Sequence, residues 1–391
     1  MSCLENEKRF LYTYPHVLLL RSLYMKIILD KEQLLEVVQI STRFTSKRLS
    51  AIQSLQGALF TVGGGELNVF ATDLNTNFSA VVKLKNKVKE TTSFVTDPKK
   101  LAEFLTLLSP GDVVLEIEEK KLTVQKDKNQ GTFNLIEKGD FPLPPKLEET
   151  PIILKAEQFK KTLPHILFAA SKDEARPALS GINFVSSDGE LIIVATDGFR
   201  LSLLKEKNTQ KVPSMLVPRV FFEEVLGGLK DEETINFTTS EKEKMVKFST
   251  PTKEYYSRVI EGAFPPFEKV IPTEKKQTII TSREELLRNT KIASLFAREQ
   301  SNIVILKGEK GVVQIRPKTD NSEENTSTQD AEIEGDAIQV AFNARFLLDF
   351  LQNVSGKKVV IELLRPDAPT VFRTDNQKNF IHIIMPVRIQ S

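Results

Sequence analysis

The chain has 391 residues, with 54 Lys and Arg side chains against 52 Asp and Glu, and a formal net charge of +2. Its apolar fraction of 40%, with 17 Gly and 19 Pro, excludes a disordered or collagen-like chain, and its length predicts two to four domains. The single cysteine, Cys3, cannot form an internal disulfide or a cysteine-based zinc site, which favours a reducing cytoplasm.

Residues 1–24 differ in character from the rest and hold three of the five tyrosines. Their apolar run at 17–20 is shorter than a signal-peptide core or a membrane span. An organised pattern begins at Met25, where a short strand precedes Asp30 and Gln33 at N-cap and N3 spacing. We therefore expect residues 1–24 to be a non-native upstream extension. A functional targeting arm is the alternative.

The remaining residues contain an internal repeat. The sequence LQGALFTVGGGELNVFATD at 55–73 recurs as LSGINFVSSDGELIIVATD at 179–197, an offset of 124, and GDFP at 139–142 recurs as GAFP at 262–265, an offset of 123. A third unit at 302–317, NIVILKGEKGVVQIRP, again reads as strand, Gly turn and strand. The 367 residues from Met25 to the last residue thus divide into three units of about 122.

Each unit is predicted to run as strand, helix, two-strand hairpin, further strands, second helix and paired strands. Asp97 followed by Pro98 is an N-cap pattern, and Ser282 with Glu285 is a capping-box pattern. Alternating apolar residues at 113, 115 and 117 indicate a strand. The fold class is therefore α+β, with three repeated domains of two helices packed on antiparallel sheet, which we place at 25–146, 147–272 and 273–391.

Motifs for catalysis or for cofactor and metal binding are not found. His165 and His382 have no partner at metal-ligand spacing, and the glycines at 63–65 lie between two strands, as in a hairpin turn. The acidic stretch at 320–336 lacks the spacing of a calcium loop and is interpreted as a surface loop. Asp197 is expected to cap a turn. We expect no cofactor, no metal and no catalytic activity.

Four stretches carry a resemblance to a known family: RPALSGI at 176–182, ATDGFRLS at 195–202, FPPFEKVIP at 264–272 and MPVRI at 385–389. In this order, around a threefold repeat, they resemble the bacterial DNA polymerase III beta subunits, the replicative sliding clamps. The resemblance covers Met25 to the C-terminus. It implies a DNA-clamp architecture in which two subunits join head to tail as a ring-shaped homodimer around duplex DNA, without sequence specificity.

The resemblance also implies a cytoplasmic, non-enzymatic processivity factor for DNA replication. Its partners would be the DNA polymerase III catalytic subunit, the clamp loader, and other polymerases and repair proteins that carry short peptide motifs, with no membrane association. A multidomain scaffold that displays a peptide groove without encircling DNA is one alternative. A more remote alternative is an enzyme that uses carboxylates such as Asp197. A positive inner face would favour the clamp, and a near-neutral total charge then predicts positive charge inside the ring and negative charge outside.

Three sets of site residues follow from the resemblance. The DNA-facing residues would be Lys47, Arg48, Lys99, Lys100 and Arg176, for which the alternative is solvated surface charge. The peptide pocket would be lined by Leu179, Thr196, Gly198, Arg200, Leu201, Pro265, Val270, Ile383, Met385, Pro386, Val387 and Arg388, several of which could instead be ordinary core residues. The dimer interface would join Phe133 and Leu135 to Leu295 and Phe296, with an intramolecular core as the alternative.

Three departures from the family pattern concern these sites. Pro177 and Ala178 replace an aromatic pair that some members carry after the arginine, so stacking on DNA at that turn is not expected. Phe199 stands where some members have a polar ring, and Lys269 where some have Arg. These last two changes are expected to alter partner preference without removing the pocket.

Overall fold

The computed structural model describes residues 24–46, 52–173, 175–209, 211–230, 234–297, 302–318 and 325–388. Lys47, Arg48 and residues 1–23 of the predicted extension lie outside these residues. The described elements follow the predicted order three times.

The first repeat has two helices and eight strands. Asp30 accepts a hydrogen bond from the Gln33 N–H at 3.0 Å and Asp97 accepts one from the Lys99 N–H at 2.8 Å, so both predicted N-caps are confirmed. The elements are β1 (Met25–Asp30), α1 (Lys31–Ser41), β2 (Ala58–Gly63), β3 (Glu66–Thr72), β4 (Thr76–Lys83), β5 (Thr92–Thr96), α2 (Pro98–Leu107), β6 (Asp112–Ile117), β7 (Lys121–Lys126) and β8 (Asn129–Asn134).

The second repeat differs in its first helix, which is divided into α3 and α4. Pro164 begins α4, and proline lacks the N–H that would continue the hydrogen-bond ladder. The elements are β9 (Ile152–Lys155), α3 (Ala156–Thr162), α4 (Pro164–Leu167), β10 (Gly181–Ser187), β11 (Glu190–Thr196), β12 (Arg200–Lys207), β13 (Met215–Pro218), α5 (Arg219–Gly228), β14 (Thr234–Ser240), β15 (Met245–Ser249) and β16 (Lys253–Arg258).

The third repeat returns to a single first helix, and Ser282 Oγ accepts a hydrogen bond from the Glu285 N–H at 3.4 Å. Its elements are β17 (Gln277–Ser282), α6 (Arg283–Ala297), β18 (Ile303–Glu309), β19 (Val312–Pro317), β20 (Ser327–Gly335), β21 (Gln339–Asn343), α7 (Ala344–Asn353), β22 (Lys358–Leu363), β23 (Thr370–Thr374) and β24 (Gln377–Ile384).

Strand β20 corrects the interpretation of the acidic stretch as a loop, which is wrong over Ser327–Gly335. Gln329 is buried, and Ala331 and Ile333 pack against the main core. Asp330, Glu332 and Glu334 occupy the alternate positions and are all exposed. The acidic composition therefore obscured the alternation of core-facing and exposed residues that is typical of a strand.

Two continuous sheets join the three repeats. In the first junction, β4 pairs with β16 from Ala80 opposite Lys253 to Thr76 opposite Ser257, within an eight-stranded sheet. In the second junction, β12 pairs with β24 from Arg200 opposite Ile384 to Leu204 opposite Phe380, within a twelve-stranded sheet. The fourth strand of one repeat thus pairs with the last strand of the next repeat in both cases.

Local features agree with the sequence analysis. Gly64 and Gly65 have φ of 61° and 85° in the turn between β2 and β3, so the predicted hairpin turn is confirmed. The main core lies between helices and sheets and includes Phe60, Phe222 and Phe350. Within the described ranges, no helix is long and apolar enough to cross a membrane, and no group of three His, Cys, Asp or Glu side chains is placed to hold a metal ion.

Candidate functional site

The predicted pocket residues come mainly from three chain segments that meet at the second junction. They are the turn at 196–201 between β11 and β12, the segment 264–271, and the C-terminal segment 385–388 that follows β24. Leu201 lies opposite Ile383 in the paired strands. We call the surface formed by these three segments the groove.

The floor of the groove is an apolar cluster on one face of the joined sheet. Leu201, Ile383 and Phe267 belong to it, and Leu201 and Ile383 are 3% and 1% exposed. These two predicted pocket residues therefore form a buried floor. Pro265, Val270 and Arg388 are exposed, Met385, Pro386 and Val387 are partly exposed, and Leu179 lies outside the cluster at the end of the short 3₁₀ turn Pro177–Leu179.

The turn at 196–201 is held by its own side chains. The Thr196 hydroxyl donates to the Arg200 carbonyl at 2.6 Å and accepts from the Gly198 N–H at 3.0 Å. Asp197 accepts from the Phe199 N–H at 2.9 Å and from the Arg200 N–H at 3.0 Å, so its predicted role as a turn cap is confirmed. Gly198 has a φ of 92°, a conformation that favours glycine.

The C-terminal segment bridges two strands of the third repeat and the turn. The Met385 N–H donates to the Phe199 carbonyl at 2.8 Å, and the Val387 N–H donates to the Ala341 carbonyl in β21 at 2.8 Å. Val387 packs against a small apolar cluster that includes Ile303. These hydrogen bonds therefore fix the segment that lines the groove to the turn and to β21.

The side chain of Arg200, a predicted pocket residue, ties the second repeat to the third. Its side chain is 7% exposed, and its Nε lies 3.0 Å from Asp197 and its Nη1 2.6 Å from Asp349 on α7. The guanidinium lies over the rings of Phe168 and Phe346, 5.6 and 4.8 Å from their centroids. Cation–π contacts add to the ion pairs when the cation is removed from water.

An aromatic surface adjoins this cation. Phe199, 60% exposed, stacks on Phe346 with ring centroids 6.3 Å apart. Sequence reasoning missed Phe168, Phe346 and Asp349, which surround Arg200. Phe346 and Asp349 lie on α7 and reach Arg200 across the second junction, whereas Phe168 follows α4 in the same repeat as Arg200. A position in or just after a predicted helix does not distinguish these residues from core residues.

Two buried histidines flank the same junction. His382 Nδ1 lies 2.8 Å from the Ser202 hydroxyl, and its ring stacks on Phe350 at 5.1 Å. Burial, with a further contribution from the positive charge of Arg200, holds the pKa of His382 well below its usual value of 6.5. Burial also lowers the pKa of His165, which contacts Phe380. Both histidines are therefore neutral packing residues at pH 7.

Three of the predicted DNA-facing residues are described by the structure, and they lie at or near the ends of elements. Lys99 and Lys100 are exposed in the first turn of α2, and Arg176 is exposed just before the turn Pro177–Leu179. The seven described helices together carry ten Lys and Arg against nine Asp and Glu. Taken over all their faces, these helices therefore carry nearly balanced charge.

The predicted interface residues differ in exposure. Phe133 in β8 is 5% exposed and packs edge-on against Phe104 at 5.6 Å, and Leu135 is half-buried. Leu295 and Phe296 on α6 are 59% and 45% exposed. Leu107 on α2, which the sequence analysis did not select, is 84% exposed, the highest value among the large apolar residues described as exposed.

Comparison with known proteins decides the family. Models of the DNA polymerase III beta subunit match in order along the chain: the N-terminal domain at residues 25–145, the central domain at 153–266 and the C-terminal domain at 268–388. The chain belongs to the bacterial DNA polymerase III beta subunit family. The resemblance stated from sequence and the clamp fold are confirmed, and the chain has the family function of a sliding clamp for DNA polymerase.

Individual relatives span the whole fold. The beta sliding clamp of Bacillus subtilis is 26% identical over 380 residues, covering 93% of this chain and 100% of that protein, and the beta sliding clamp of Treponema pallidum is 24% identical, covering 94% and 100%. The crystal structure of the Bacillus subtilis clamp has a TM-score of 0.83 at 24% identity and covers 94% and 100% of the two chains. A Pseudomonas aeruginosa clamp bound to griselimycin has a TM-score of 0.84 at 20% identity, with 93% and 100% covered.

Proposed function

We propose that two copies of this chain close head to tail into a ring around duplex DNA, and that the ring tethers the replicative polymerase without catalytic activity of its own. The observation that carries this proposal is the sheet junction that occurs twice within one chain. A third junction of the same kind between subunits completes a ring of six domains, a heterologous interface that closes on itself.

The strands needed for the third junction are the fourth strand of the third repeat and the last strand of the first. Residues 327–330 of β20 pair with β19 alone among the described strands, and β8 pairs with β7 alone. An unpaired strand edge is a template for another strand. We infer that β20 of one subunit and β8 of its partner extend one sheet across the subunit boundary, as β4 and β16 do within the chain.

The first helices support the same arrangement. Phe44 follows the start of β1 by nineteen residues and packs at the first junction against Phe78 and Tyr255, with 1% exposure. Phe296 follows the start of β17 by the same nineteen residues but is 45% exposed. Together with Leu295 and with Leu107 on α2, it supplies the apolar surface that a partner subunit would cover.

Sliding requires contacts that do not depend on sequence. Lys99, Lys100 and Arg176, with Lys47 and Arg48, are proposed to contact phosphates, which carry no sequence information and form salt-dependent contacts. Retention then comes from ring closure. We also propose a cytoplasmic location, in keeping with a protein that acts on the chromosome.

The DNA proposal is tested by retention on closed circles. The native dimer is assembled on a nicked circular plasmid by a clamp loader, and bound protein is measured in moderate salt before and after linearisation. Retention on the circle with release after linearisation is expected, and blocking both ends of the linear DNA with streptavidin should restore retention. Equal loss from circular and linear DNA would refute encirclement.

The groove is proposed to bind short extended peptide segments of the polymerase III catalytic subunit, the clamp loader, other polymerases and repair proteins. Its apolar floor, the flexible Met385 and a few polar groups suit aliphatic and aromatic anchors. Removal of residues 385–391 should abolish peptide binding and leave the dimer intact, while removal of 389–391 alone should preserve binding. Unchanged affinity after the longer truncation would contradict the assignment.

The circular-DNA experiment also separates encirclement from the alternative left by the sequence, a scaffold that displays the groove without encircling DNA. We also propose the domain limits 25–146, 147–272 and 273–391, supported by the family matches that begin and end close to them.

A further inference from the structure

A carboxylate occupies the sixth position of the second helix in each of the three repeats. These residues are Glu103 in α2, Glu224 in α5 and Asp349 in α7, each helix having ten residues. Glu224 pairs with Arg43 of the first repeat at 2.6 Å, and Asp349 pairs with Arg200 of the second repeat at 2.6 Å. Both junctions are thus bridged by a carboxylate of the later repeat and an arginine of the earlier one.

The two bridges differ in what the arginine is attached to. Arg43 follows helix α1, whereas Arg200 belongs to the turn whose Phe199 carbonyl accepts the Met385 N–H at 2.8 Å. The Asp349 carboxylate is 28% exposed and holds the far end of the Arg200 side chain, while Asp197 holds its Nε. Asp349 therefore restrains, through Arg200, the backbone that lines the groove.

We propose that Asp349 is a positioning residue for peptide binding, and that it acts by holding Arg200 and thereby the turn at 196–201 against the third repeat. This inference rests on the proposed peptide groove. Because Asp197 accepts from Arg200 Nε and Asp349 accepts from Arg200 Nη1, the Arg200 cation is paired without a carboxylate from the peptide.

The substitution Asp349→Asn tests the role of the charge with little change of shape. It leaves Arg200 with one carboxylate, and hydrogen bonds to charged groups are strong enough that their loss shifts an equilibrium by about tenfold or more. Glu224→Gln is the matched control, since it removes a carboxylate at the same helix position from the other junction. Asp349→Glu keeps the charge and is expected to restore most of the affinity.

The experiment uses the full-length dimer and fluorescein-labelled peptides of fifteen residues that overlap along the polymerase III catalytic subunit of the same organism. Anisotropy titration first selects the peptide that binds the unmodified clamp most tightly. D349N should bind that peptide about tenfold more weakly, and E224Q should bind it within twofold of the unmodified protein. In an Arg200→Ala background, D349N should cause no further loss, because its effect passes through Arg200.

Each other result overturns the inference. Equal affinity of D349N and the unmodified protein would remove the role of the charge, and an equal loss in E224Q would indicate general loosening of junctions. A further loss caused by D349N in the Arg200→Ala background would show action by another route. If no peptide binds the unmodified clamp, the groove proposal itself fails, which is a distinct result. Thermal unfolding and sedimentation of every variant establish that the dimer is folded.

Discussion

Replacing Leu295 and Phe296 by alanine is expected to dissociate the ring. Full burial of a Leu or Phe side chain stabilises a protein by about 1.5–3 kcal/mol, and these side chains are 59% and 45% exposed in the single chain. Burial of the exposed part then contributes about 1 kcal/mol for each side chain. Since a two-subunit ring contains two such interfaces, the total is about 4 kcal/mol, or roughly a thousandfold in the dimer dissociation constant.

Sedimentation equilibrium over a concentration series measures this constant directly, and circular dichroism establishes that each variant is folded. Ile153→Ala is the control, because Ile153 is 63% exposed in β9 of the second repeat, away from the proposed boundary. A dissociation constant unchanged by L295A/F296A would refute the placement of α6 at the interface. An equal effect of I153A would show that the loss is unspecific.

Three further predictions concern stability and assembly. The folded pKa of His382 lies well below 6.5, so this side chain takes up a proton more readily in the unfolded chain. The free energy of unfolding should therefore decrease as the pH falls below 6.5, by up to about 1.4 kcal/mol per pH unit. Urea titrations at several pH values should show a weaker dependence of this free energy on pH in H382F. Asp97→Ala removes the α2 N-cap and should lower the urea midpoint, at a cost of about 1 kcal/mol. If Glu103 pairs with an arginine of the partner subunit, as Glu224 and Asp349 pair with arginines at the two junctions, then Glu103→Gln should raise the dimer dissociation constant about tenfold in sedimentation. The reason is that an exposed ion pair contributes about 0–1 kcal/mol and the ring has two interfaces.

Much of the fold could be predicted from sequence patterns that span only a few residues. Caps at Asp30, Asp97 and Ser282 act within a few residues, so the sequence alone indicated where three helices begin. The Gly turn after β2 was visible for the same reason. Strand β20 was missed because its acidic residues alternate with Gln329, Ala331 and Ile333, and the burial of that second set depends on a core assembled from distant segments.

In the groove, too, some residues could be predicted from sequence and others could not. The ATDG turn and the final MPVR segment could be selected from sequence, yet the partners of Arg200 could not. Phe346 and Asp349 reach it only when β12 pairs with β24, and Phe168 reaches it only through packing within the second repeat. Burial of Phe133 against Phe104 was equally hidden, because an apolar residue of an alternating strand has the same pattern in a core as at an interface.

By itself the sequence determined the threefold repeat, the family and, apart from β20, the order of strands and helices, because these depend on short-range chemistry and on a spacing that recurs along the chain. Only the tertiary structure decided which carboxylate holds Arg200, which apolar residues are left exposed on α6 and α2, and which strand edges remain open. Those properties arise where segments far apart in the chain pack together, and side-chain contacts across such distances have no signature in local order.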